Sequence, residues 1–387
     1  MTKIGTVFSE LLKLAPRFHF DKAVERHDGD RYAKSFTSWR QFITLLYAQI
    51  TGKDSLRDIE TGLSAQSSRL YHIGLDSVRR STLADANNRR DWRIFEELFY
   101  KILDRCQSLT PRHKFRFKNP LYSMDATVID LCLAMFPWAK FRKTKGAIKL
   151  HCLYGHSGAM PSFMVVTDGK KHETRVVKES SLPLPPDSII SVDRGYLDFK
   201  WLYSLTERRV YFVTRAKDNF RYDIAGQHKE PSGKGVIKDE KVSLCGFYQE
   251  EDYPDELRRI EFLDAGSGKT LVFLTNNFDL AASTIAAIYK SRWQIELFFK
   301  WIKQNLKIKS FLGTGVNAVM SQIWVAMCYY LLLVYIKYQS RYAGSLLELS
   351  RVIRETLMNR MSLIDILTAK PERLKRLETE PAQAMLF

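Results

Sequence analysis

Four residues whose side chains bind phosphate or metal recur at helical spacing within one short segment. Tyr289, Arg292, Glu296 and Lys303 follow one another at steps of three, four and seven residues. Because an α-helix has 3.6 residues per turn, these steps place all four side chains on nearly the same side. A guanidinium and an ammonium bind phosphate, and a carboxylate binds a hard divalent cation. The segment therefore predicts a helix that holds a metal ion next to a phosphate chain.

The rest of this segment is basic on one side and apolar on the other. Residues 289–310 include six basic residues and a single acid, Glu296. The apolar side carries Ile288, Ile295, Phe298, Phe299 and Ile302. We therefore predict one long helix, from Thr284 to about Ile308, with one buried side. Trp293 and Trp301 flank the acid, and core packing is the favoured interpretation of both, with base stacking as the alternative.

Two more acids lie where a metal site would need them. Asp125 interrupts an apolar strand, which is costly unless its charge is paired or ligated. Asp193 ends another apolar strand, and ligands collect at the carboxyl ends of strands in open sheets. Two divalent ions about 3.5–4 Å apart stabilise both the attacking and the leaving oxygen of a phosphodiester displacement. Spacing alone does not bring Asp125, Asp193 and Glu296 together. Four other acids compete in weaker contexts: Asp130, Asp168, Glu173 and Asp198.

The elements that must position these acids are predicted to form an α/β sheet. Apolar and β-branched runs predict strands at residues 121–133, 149–154, 162–167, 188–192 and 210–214, with a helix at residues 199–206. The succession of three strands, a connection, and strand–helix–strand is typical of such a sheet. A β-rich stretch follows, with strands at residues 259–263 and 270–274.

The first 115 or so residues are predicted to be helical. Ser38, Ser55 and Ser81 are the expected N-caps of three helices, the first two of which are expected to end at Gly52 and Gly62. Residues 38–95 can form a helix-turn-helix-like DNA-binding unit, whose exposed side offers Asp85, Asn88 and Arg89. Asn and Arg side chains read adenine and guanine edges. The alternative is a helical bundle whose polar surface is simply exposed to solvent.

Composition indicates a globular protein with a polyanionic partner. The chain has 387 residues, of which 45% are hydrophobic, and it carries a net charge of +17. Such an excess of positive charge indicates nucleic acid, and the sequence has no basic tail or amphipathic anchor that would favour a membrane surface. Residues 323–336 are apolar but too short to span a bilayer, so a buried core helix is expected. No signal peptide is recognised at the start.

The cysteines predict neither disulfides nor a zinc site. Cys106, Cys132, Cys152, Cys245 and Cys328 are odd in number and scattered along the chain. We expect them to be reduced core residues of a cytoplasmic protein.

The motifs together resemble those of the insertion-sequence-four family of DDE transposases. Tyr289, Arg292, Glu296 and Lys303 are similar to its Y-R-E-K signature, and the blocks around Asp125 and Asp193 resemble its two aspartate motifs. The resemblance covers about residues 35–340 and includes residues 274–277 and 298–300. One departure is Arg194, where lysine is frequent in the family.

The resemblance implies a mechanism and a set of site residues. Asp125, Asp193 and Glu296 would be catalytic and hold two Mg²⁺ ions, with Mn²⁺ as an alternative. Tyr289, Arg292 and Lys303 would bind DNA phosphates near the scissile bond. Further candidate DNA contacts are Arg194, Lys149, Ser81, Asn88 and Arg89, and His151 on the same basic strand as Lys149 is more often structural. Phe247, Tyr248 and Tyr253 are candidates for a base-flipping aromatic.

The resemblance also implies the fold and the activity. It implies a ribonuclease H-like catalytic core interrupted by a β-rich insertion, with helical N-terminal DNA-binding and C-terminal regions. The expected boundaries are 1–118 (DNA-binding), 119–216 (first part of the core), 217–274 (insertion), 275–340 (second part of the core) and 341–387 (C-terminal region).

The expected activity is cut-and-paste transposition by a bacterial, cytoplasmic protein that is nucleoid-associated when bound to DNA. It would act on terminal inverted repeats and target DNA as a homodimer in the synaptic complex. The alternatives are a non-catalytic DNA-binding regulator derived from a transposase and a structure-specific nuclease of the same fold.

Overall fold

A computed structural model describes residues 5–140, 145–218, 220–229 and 233–368. The chain divides into two units, a helical unit (Met1–Thr110 and Ile302–Phe387) and a sheet unit (Pro111–Trp301). Arg142 and Lys143 lie outside the described residues, and so does the segment at residues 370–380, which is rich in charged residues.

The sheet unit is built on nine strands that form a single mixed sheet. The strands are β1 (Leu121–Leu131), β2 (Gly146–Gly155), β3 (Met160–Asp168), β4 (Ile189–Val192), β5 (Tyr211–Arg215), β6 (Tyr222–Gln227), β7 (Val236–Leu244), β8 (Leu257–Asp264) and β9 (Lys269–Thr275). Their spatial order is β3-β2-β1-β4-β5-β9-β8-β7-β6. Strand β4 is parallel to both β1 and β5, and every other neighbouring pair is antiparallel. The predicted α/β sheet is thus present, and the strands of the β-rich stretch extend it.

Helices pack on both faces of this sheet. The unit contains α7 (Glu173–Glu179), α8 (Phe199–Glu207), α9 (Phe247–Asp252), α10 (Ala282–Ser291) and the start of α11 (Trp293–Asn305). Met124 and Val192 pack in one core with Leu202 of α8. Leu121 and Ile189 pack in a second core with Ile285 of α10.

The alternation of side chains along β1 determines on which face of the sheet Asp125 lies. Because side chains point to alternate faces along a strand, Asp125 lies on the face of Leu121, where α10 packs. Met124 and the helix α8 lie on the other face.

The expected single signature helix is wrong in one respect, because it is broken at Arg292. The hydrogen bonds Arg292 N–Tyr289 O (3.1 Å) and Ile295 N–Arg292 O (3.0 Å) join residues three apart, as in a 3₁₀ turn. Helices α10 and α11 therefore meet at this residue. Neither glycine nor proline marks the break. The apolar side was predicted correctly, since Ile288, Ile295 and Ile302 are fully buried.

The helical unit contains α1 (Val7–Lys13), α2 (Arg17–Arg26), α3 (Ser38–Thr51), α4 (Leu56–Ser64), α5 (Arg80–Arg89), α6 (Arg93–Gln107), α12 (Val316–Gln339), α13 (Leu346–Thr356) and α14 (Leu363–Thr368), with the end of α11. Gly52 ends α3 in the left-handed conformation (φ 70°), and Ser55 caps α4, both as predicted. Helix α4 continues two residues past Gly62, its predicted end.

Two predicted caps are wrong. Thr37 caps α3 instead of Ser38, because the amide and hydroxyl of Ser38 both donate to the Asp30 carboxylate. Helix α5 begins before Ser81, with Arg79 at the N-cap position, so Ser81 lies in its first turn.

Helix α12 is the core of the helical unit. It is 24 residues long, so the prediction that this segment is too short to span a bilayer is wrong. By length and composition it is the one helix among the described residues that could cross a membrane, yet 94% of its most apolar window is buried. It packs on α3, α5, α6 and α13. The prediction of a buried core helix is therefore confirmed.

The cysteines are all free among the described residues. Cys106, Cys152 and Cys328 are buried, as predicted. Cys132 is exposed and Cys245 is half-buried, so the core prediction is wrong for these two.

Candidate active site

The first two acids lie at neighbouring strand positions. Strands β1 and β4 are parallel, and Met124 pairs with Val192, so Asp125 and Asp193 are the next residue of each strand. Asp193 leaves the sheet at this point and starts a short 3₁₀ turn, where its Oδ1 accepts a hydrogen bond from Gly195 N at 2.9 Å. A Cβ on residue 195 would lie 3.0 Å from the same oxygen, which accounts for glycine there.

Arg292 joins the first acid to the third. Its Nη1 donates to Asp125 Oδ2 at 2.9 Å, and its Nη2 donates to Glu296 Oε1 at 2.8 Å. The guanidinium is 15% exposed, compared with 19% for Asp125 and 39% for Glu296. The break between α10 and α11 therefore places one cation between two carboxylates that are distant in the sequence.

The charge of Asp125 is destabilised by its surroundings. Burial raises the pKa of Asp125 to about 6, and the carboxylates of Asp193 and Glu296 act in the same direction. The Ala126 amide and Arg292 oppose this shift. Asp193 and Glu296 therefore lie near enough to Asp125 to influence its charge.

The donor set suits a hard divalent cation. All three candidate ligands are carboxylates, and magnesium and manganese prefer oxygen ligands. Among the described residues, no three acid, histidine or cysteine side chains are spaced for direct metal ligation. In this arrangement the guanidinium of Arg292 contacts both Asp125 and Glu296. The chemistry of the three carboxylates fits a hard divalent cation.

Tyr289 and Arg215 lie next to these acids. The Tyr289 ring packs against Phe273, with 5.1 Å between centroids, and the Arg292 guanidinium lies 5.8 Å from the same ring. Burial raises the pKa of Tyr289, and the charges of Arg292 and Arg215 oppose that shift. The Nε of Arg215 is buried and has no hydrogen-bond partner among the described residues.

Arg215 was missed at the sequence level. It ends the apolar strand β5, just as Asp193 follows the apolar strand β4. The rule that directed attention to Asp193 could therefore have identified Arg215 as well.

A polar cluster attaches α11 to the sheet beside the acids. Ser123, two residues before Asp125 and on the same face, is hydrogen-bonded to His156 Nε2 at 2.7 Å. Gln294 on α11 is hydrogen-bonded to the His156 side chain. Burial lowers the pKa of His156 to about 4, so the imidazole is neutral near pH 7. These contacts help to fix the position of Glu296, and sequence reasoning did not single them out.

The surroundings of the other predicted site residues differ from one residue to the next. Lys303 follows Glu296 by seven residues on α11 and belongs to the helical unit, where it lines a cavity. Lys149 is 11% exposed and pairs with Glu173 at 2.9 Å, so it offers little charge to a solvent-side ligand. Arg194 is 47% exposed, and its Nη1 lies 3.7 Å from Asp218.

The candidates on α5 face solvent. Ser81, Asn88 and Arg89 are all exposed, as predicted, and Arg89 Nε lies 2.7 Å from Asp85. The backbone oxygen of Asn88 accepts a hydrogen bond from Asn317 at 3.0 Å, which leaves its side chain outside this contact.

The weaker aromatic and histidine candidates have mixed outcomes. Trp293 is 60% exposed, so core packing, the favoured interpretation, is wrong for it. His151 is buried and its Nε2 is hydrogen-bonded to Thr167 at 3.1 Å, as expected of a structural residue. Tyr253 is buried with its hydroxyl 2.9 Å from Thr206, which does not suit a base-flipping role. The side chains of Phe247 and Tyr248 lie outside the described residues.

Comparisons with known proteins identify the family. The model of the transposase DDE domain matches residues 116–332, and that of a domain of unknown function matches residues 4–76. A protein of Sinorhizobium fredii assigned as the transposase y4zB is 34% identical over 65% of this chain and 69% of its own length. A protein of Geobacillus stearothermophilus assigned as the transposase of insertion sequence element IS5377 is 29% identical, over 67% of this chain and 68% of its own.

A solved structure also matches, at low similarity. A cryo-EM structure of the piggyBac transposase synaptic complex with hairpin DNA matches with a TM-score of 0.49 and 11% identity. The match covers 98% of this chain and 85% of that one.

Carboxylates clustered around an arginine on a mixed sheet are typical of an enzyme that uses metal ions to process nucleic acid. The chain belongs to the family of DDE transposases, which catalyse metal-dependent DNA cleavage and strand transfer. It is of the insertion-sequence-four type and acts as an insertion-sequence transposase on DNA, and DDE transposases generally use divalent metal ions. The predicted family, class of enzyme and function are confirmed.

Proposed function

We propose that this transposase moves its insertion sequence by a cut-and-paste route. It would bind the terminal inverted repeats, hydrolyse the phosphodiester at each element end, and use the freed 3′-hydroxyl to attack the other strand or target DNA. The observation that carries this proposal is the pair of contacts from Arg292 to Asp125 and Glu296 beside Asp193. It supports one shared site for the three acids.

We assign the three carboxylates to metal binding. Asp125, Asp193 and Glu296 would hold two Mg²⁺ ions, or Mn²⁺ in their place. When bound, such ions stabilise the charge that develops on the attacking and leaving oxygens. The rigid backbone around the acids supports this assignment, because two of them extend from neighbouring strands and the third from an anchored helix.

We assign the cations of the signature to the DNA strand. Arg292 can present two N–H donors to a phosphate, Tyr289 one hydroxyl, and Lys303 a point charge. Arg215 would add a fourth contact, because its position beside Tyr289 places a second guanidinium near the same phosphates. These side chains would orient the scissile phosphate against the carboxylates and would not take part in proton transfer.

We propose that the core is ribonuclease H-like. The antiparallel strands β1–β3 followed by the parallel strands β4 and β5 support this assignment. Residues 119–216 and 275–340 would be its two parts and residues 217–274 the insertion. We propose that residues 1–118, through Ser81, Asn88 and Arg89 among others, bind the terminal repeats, and that residues 341–387 form a C-terminal region.

We also propose that the active form is a homodimer in the bacterial cytoplasm. Pairing two element ends in one synaptic complex requires at least two copies of the site. The candidate contacts Lys149 and Arg194 would reach DNA only if their partners Glu173 and Asp218 released them.

The substitution Glu296→Gln tests the proposed site. It keeps the shape of the side chain but removes a metal ligand, so we expect normal binding of element-end DNA and cleavage in Mg²⁺ reduced at least about a thousandfold. The readout is the nicked strand on a denaturing gel. Asp130→Asn is the matched control, since Asp130 is an exposed acid on the same strand as Asp125.

The outcomes separate the proposal from its alternatives. Full cleavage by the Glu296→Gln variant would remove Glu296 from the site. A wild-type protein that binds element ends but never cuts them in Mg²⁺ would be a regulator. Equal cleavage of branched DNA without element ends would indicate a structure-specific nuclease.

A further inference from the structure

The helical unit contains a basic cavity that no part of the carboxylate site explains. Its volume is about 500 Å³, within the range of about 300–1,000 Å³ typical of ligand sites. Five of its lining residues are cations and none is an acid: Lys303, Lys307, Lys309, Arg351 and Arg354. We propose that this cavity, the basic cradle, binds the phosphodiester backbone of duplex DNA outside the scissile phosphate.

Three elements of the helical unit form the walls of the basic cradle. They are the end of α3 at Thr51 and Gly52, residues 303–310 from the end of α11 into the following loop, and one side of α13. On α13 the lining residues Leu347, Ser350, Arg351 and Arg354 recur at helical spacing, so the two arginines point to the same side.

The loop that carries two of the lysines is held rigidly. Leu306 and Ile308 are buried, while Lys307 and Lys309, which alternate with them, point outward. The amide of Gln322 donates to Lys307 O at 2.6 Å and to Ser310 O at 2.8 Å. The amide of Lys307 donates to Gln49 Oε1 at 3.1 Å. A preformed loop does not have to be ordered on binding, which favours affinity for its ligand.

Contacts within the protein neutralise only part of the positive charge of the basic cradle. Lys307 pairs with Asp54 at 2.6 Å, and Arg354 donates to Ile50 O at 2.8 Å, near the carbonyl end of α3. Lys309 and Arg351 are exposed, and neither forms an ion pair with a carboxylate of the described residues. Five cations around one cavity repel one another unless an anion neutralises them, so the cradle is suited to a polyanion.

A second cavity of the helical unit differs from the basic cradle, because its lining contains acids as well as bases. It is about 610 Å³ and includes Arg31, Lys34, Arg89 and Arg90, but also Asp28, Asp85 and Asp91. Of these two cavities, only the basic cradle has no acid among its lining residues.

The ligand class follows from the function of the protein. The chain acts on DNA, and Lys303, which lines the cradle, is also one of the residues proposed to bind DNA phosphate. The identification of the polyanion as DNA rests on the proposed function. Two sources share the same backbone chemistry, the DNA flanking the element and the target DNA.

The test uses the full chain with the double substitution Lys309→Ala and Arg351→Ala. The readout is fluorescence anisotropy of labelled duplexes over a range of salt concentrations. Loss of two phosphate contacts should lower affinity about ten- to a hundredfold and reduce the slope of log K against log salt by about 2. The matched control is Arg341→Gly with Arg360→Ala, two exposed arginines of the same unit that lie outside both the cradle and the proposed terminal-repeat region, with glycine chosen because residue 341 has a positive φ. Equal melting temperatures establish that both variants are folded.

Three DNA duplexes distinguish the sources. A loss confined to element ends with flanking DNA supports the flank, a loss confined to unrelated duplex supports the target, and a loss on all three, including ends without flank, supports both. Affinity and salt slope equal to those of the control on every duplex would overturn the proposal. Cleavage in Mg²⁺ by the wild-type protein is measured separately, so a failure of the proposed catalysis leaves the binding result for the basic cradle unchanged.

Discussion

Arg292 holds two carboxylates that a divalent ion would otherwise have to bring together. Its two contacts, to Asp125 and Glu296, offset part of the repulsion within the acid cluster. The same guanidinium occupies space between the ligands and adds a positive charge there. We therefore expect it to compete with a metal cation for the carboxylates and, when displaced, to become available to a phosphate.

This competition predicts the behaviour of the variant Arg292→Ala. Without the guanidinium, the acids should bind Mn²⁺ about three- to tenfold more tightly, because a positive charge has been removed beside the ligands. Cleavage should nevertheless fall, since a phosphate contact is lost. Isothermal titration with Mn²⁺ measures the first effect.

The matched variant Arg292→Lys keeps the charge and loses the two-pronged geometry. Its metal affinity should stay near that of the wild type. Equal or weaker Mn²⁺ binding by Arg292→Ala would show that the guanidinium does not compete with the metal.

At the scale of elements, Arg258 connects the outer strands to the segment that leads into α10. It is fully buried on β8 and makes two hydrogen bonds, at 2.8 and 2.7 Å, to Asp239 on β7. Its Nη1 also donates to Asn277 O at 3.0 Å and Leu280 O at 2.6 Å. Arg258 thus links strands β7 and β8 to the segment just before α10, the helix that ends at Arg292.

Breaking this pair should destabilise the protein strongly. Arg258→Met leaves the Asp239 carboxylate buried without a partner, at a cost of about 3–5 kcal/mol in the free energy of unfolding. Chemical denaturation measures the change. The paired variant Arg258→Met with Asp239→Leu should recover most of it, because no charge then remains buried. A loss below about 1 kcal/mol for the single variant would contradict this account.

The elements also show how far local sequence signals extend. The five strands of the core were predicted within a few residues, because apolar alternation is a local property. The pairing of β9 with β5 was not predicted, since strand pairing depends on contacts between residues that are distant in the sequence. The break at Arg292 had no glycine or proline to signal it, and the cap at Ser38 failed because Asp30 bonds that residue.

The candidate site was predictable to a similar degree. The residue types and local contexts of Asp125, Asp193 and Glu296 indicated a candidate metal site, although their spacing did not show that they meet, and the resemblance indicated the family. Neither predicted that Lys149 would be neutralised by Glu173 or that Trp293 would be exposed. Both outcomes depend on tertiary neighbours.

At the scale of the whole molecule, we expect stability to depend on pH through groups that do not belong to the carboxylate site. Glu96 lies in the first turn of α6, where burial raises its pKa to about 7, and the carboxylates of Glu97 and Asp91 add to the effect. Arg93 and His27 oppose it. The ordinary value is 4.5, so the folded protein binds this proton more tightly than the unfolded chain does. The stability that Glu96 contributes is complete below pH 4.5 and is lost as pH rises through about 7.

The variant Glu96→Gln should remove this loss. At pH 8 it should be more stable than the wild type by about 1–2 kcal/mol, a figure that allows for partial exposure, and at pH 5 the two should nearly agree. Thermal unfolding between pH 5 and pH 8 measures the difference. Glu97→Gln is a control of opposite sign: burial raises the pKa of Glu97, but hydrogen bonds from His27 and Arg26 lower it overall. That variant should be less stable than the wild type at pH 8, and a stability gain there for both variants would show that repulsion among the neighbouring carboxylates, rather than the burial of Glu96, governs the pH dependence.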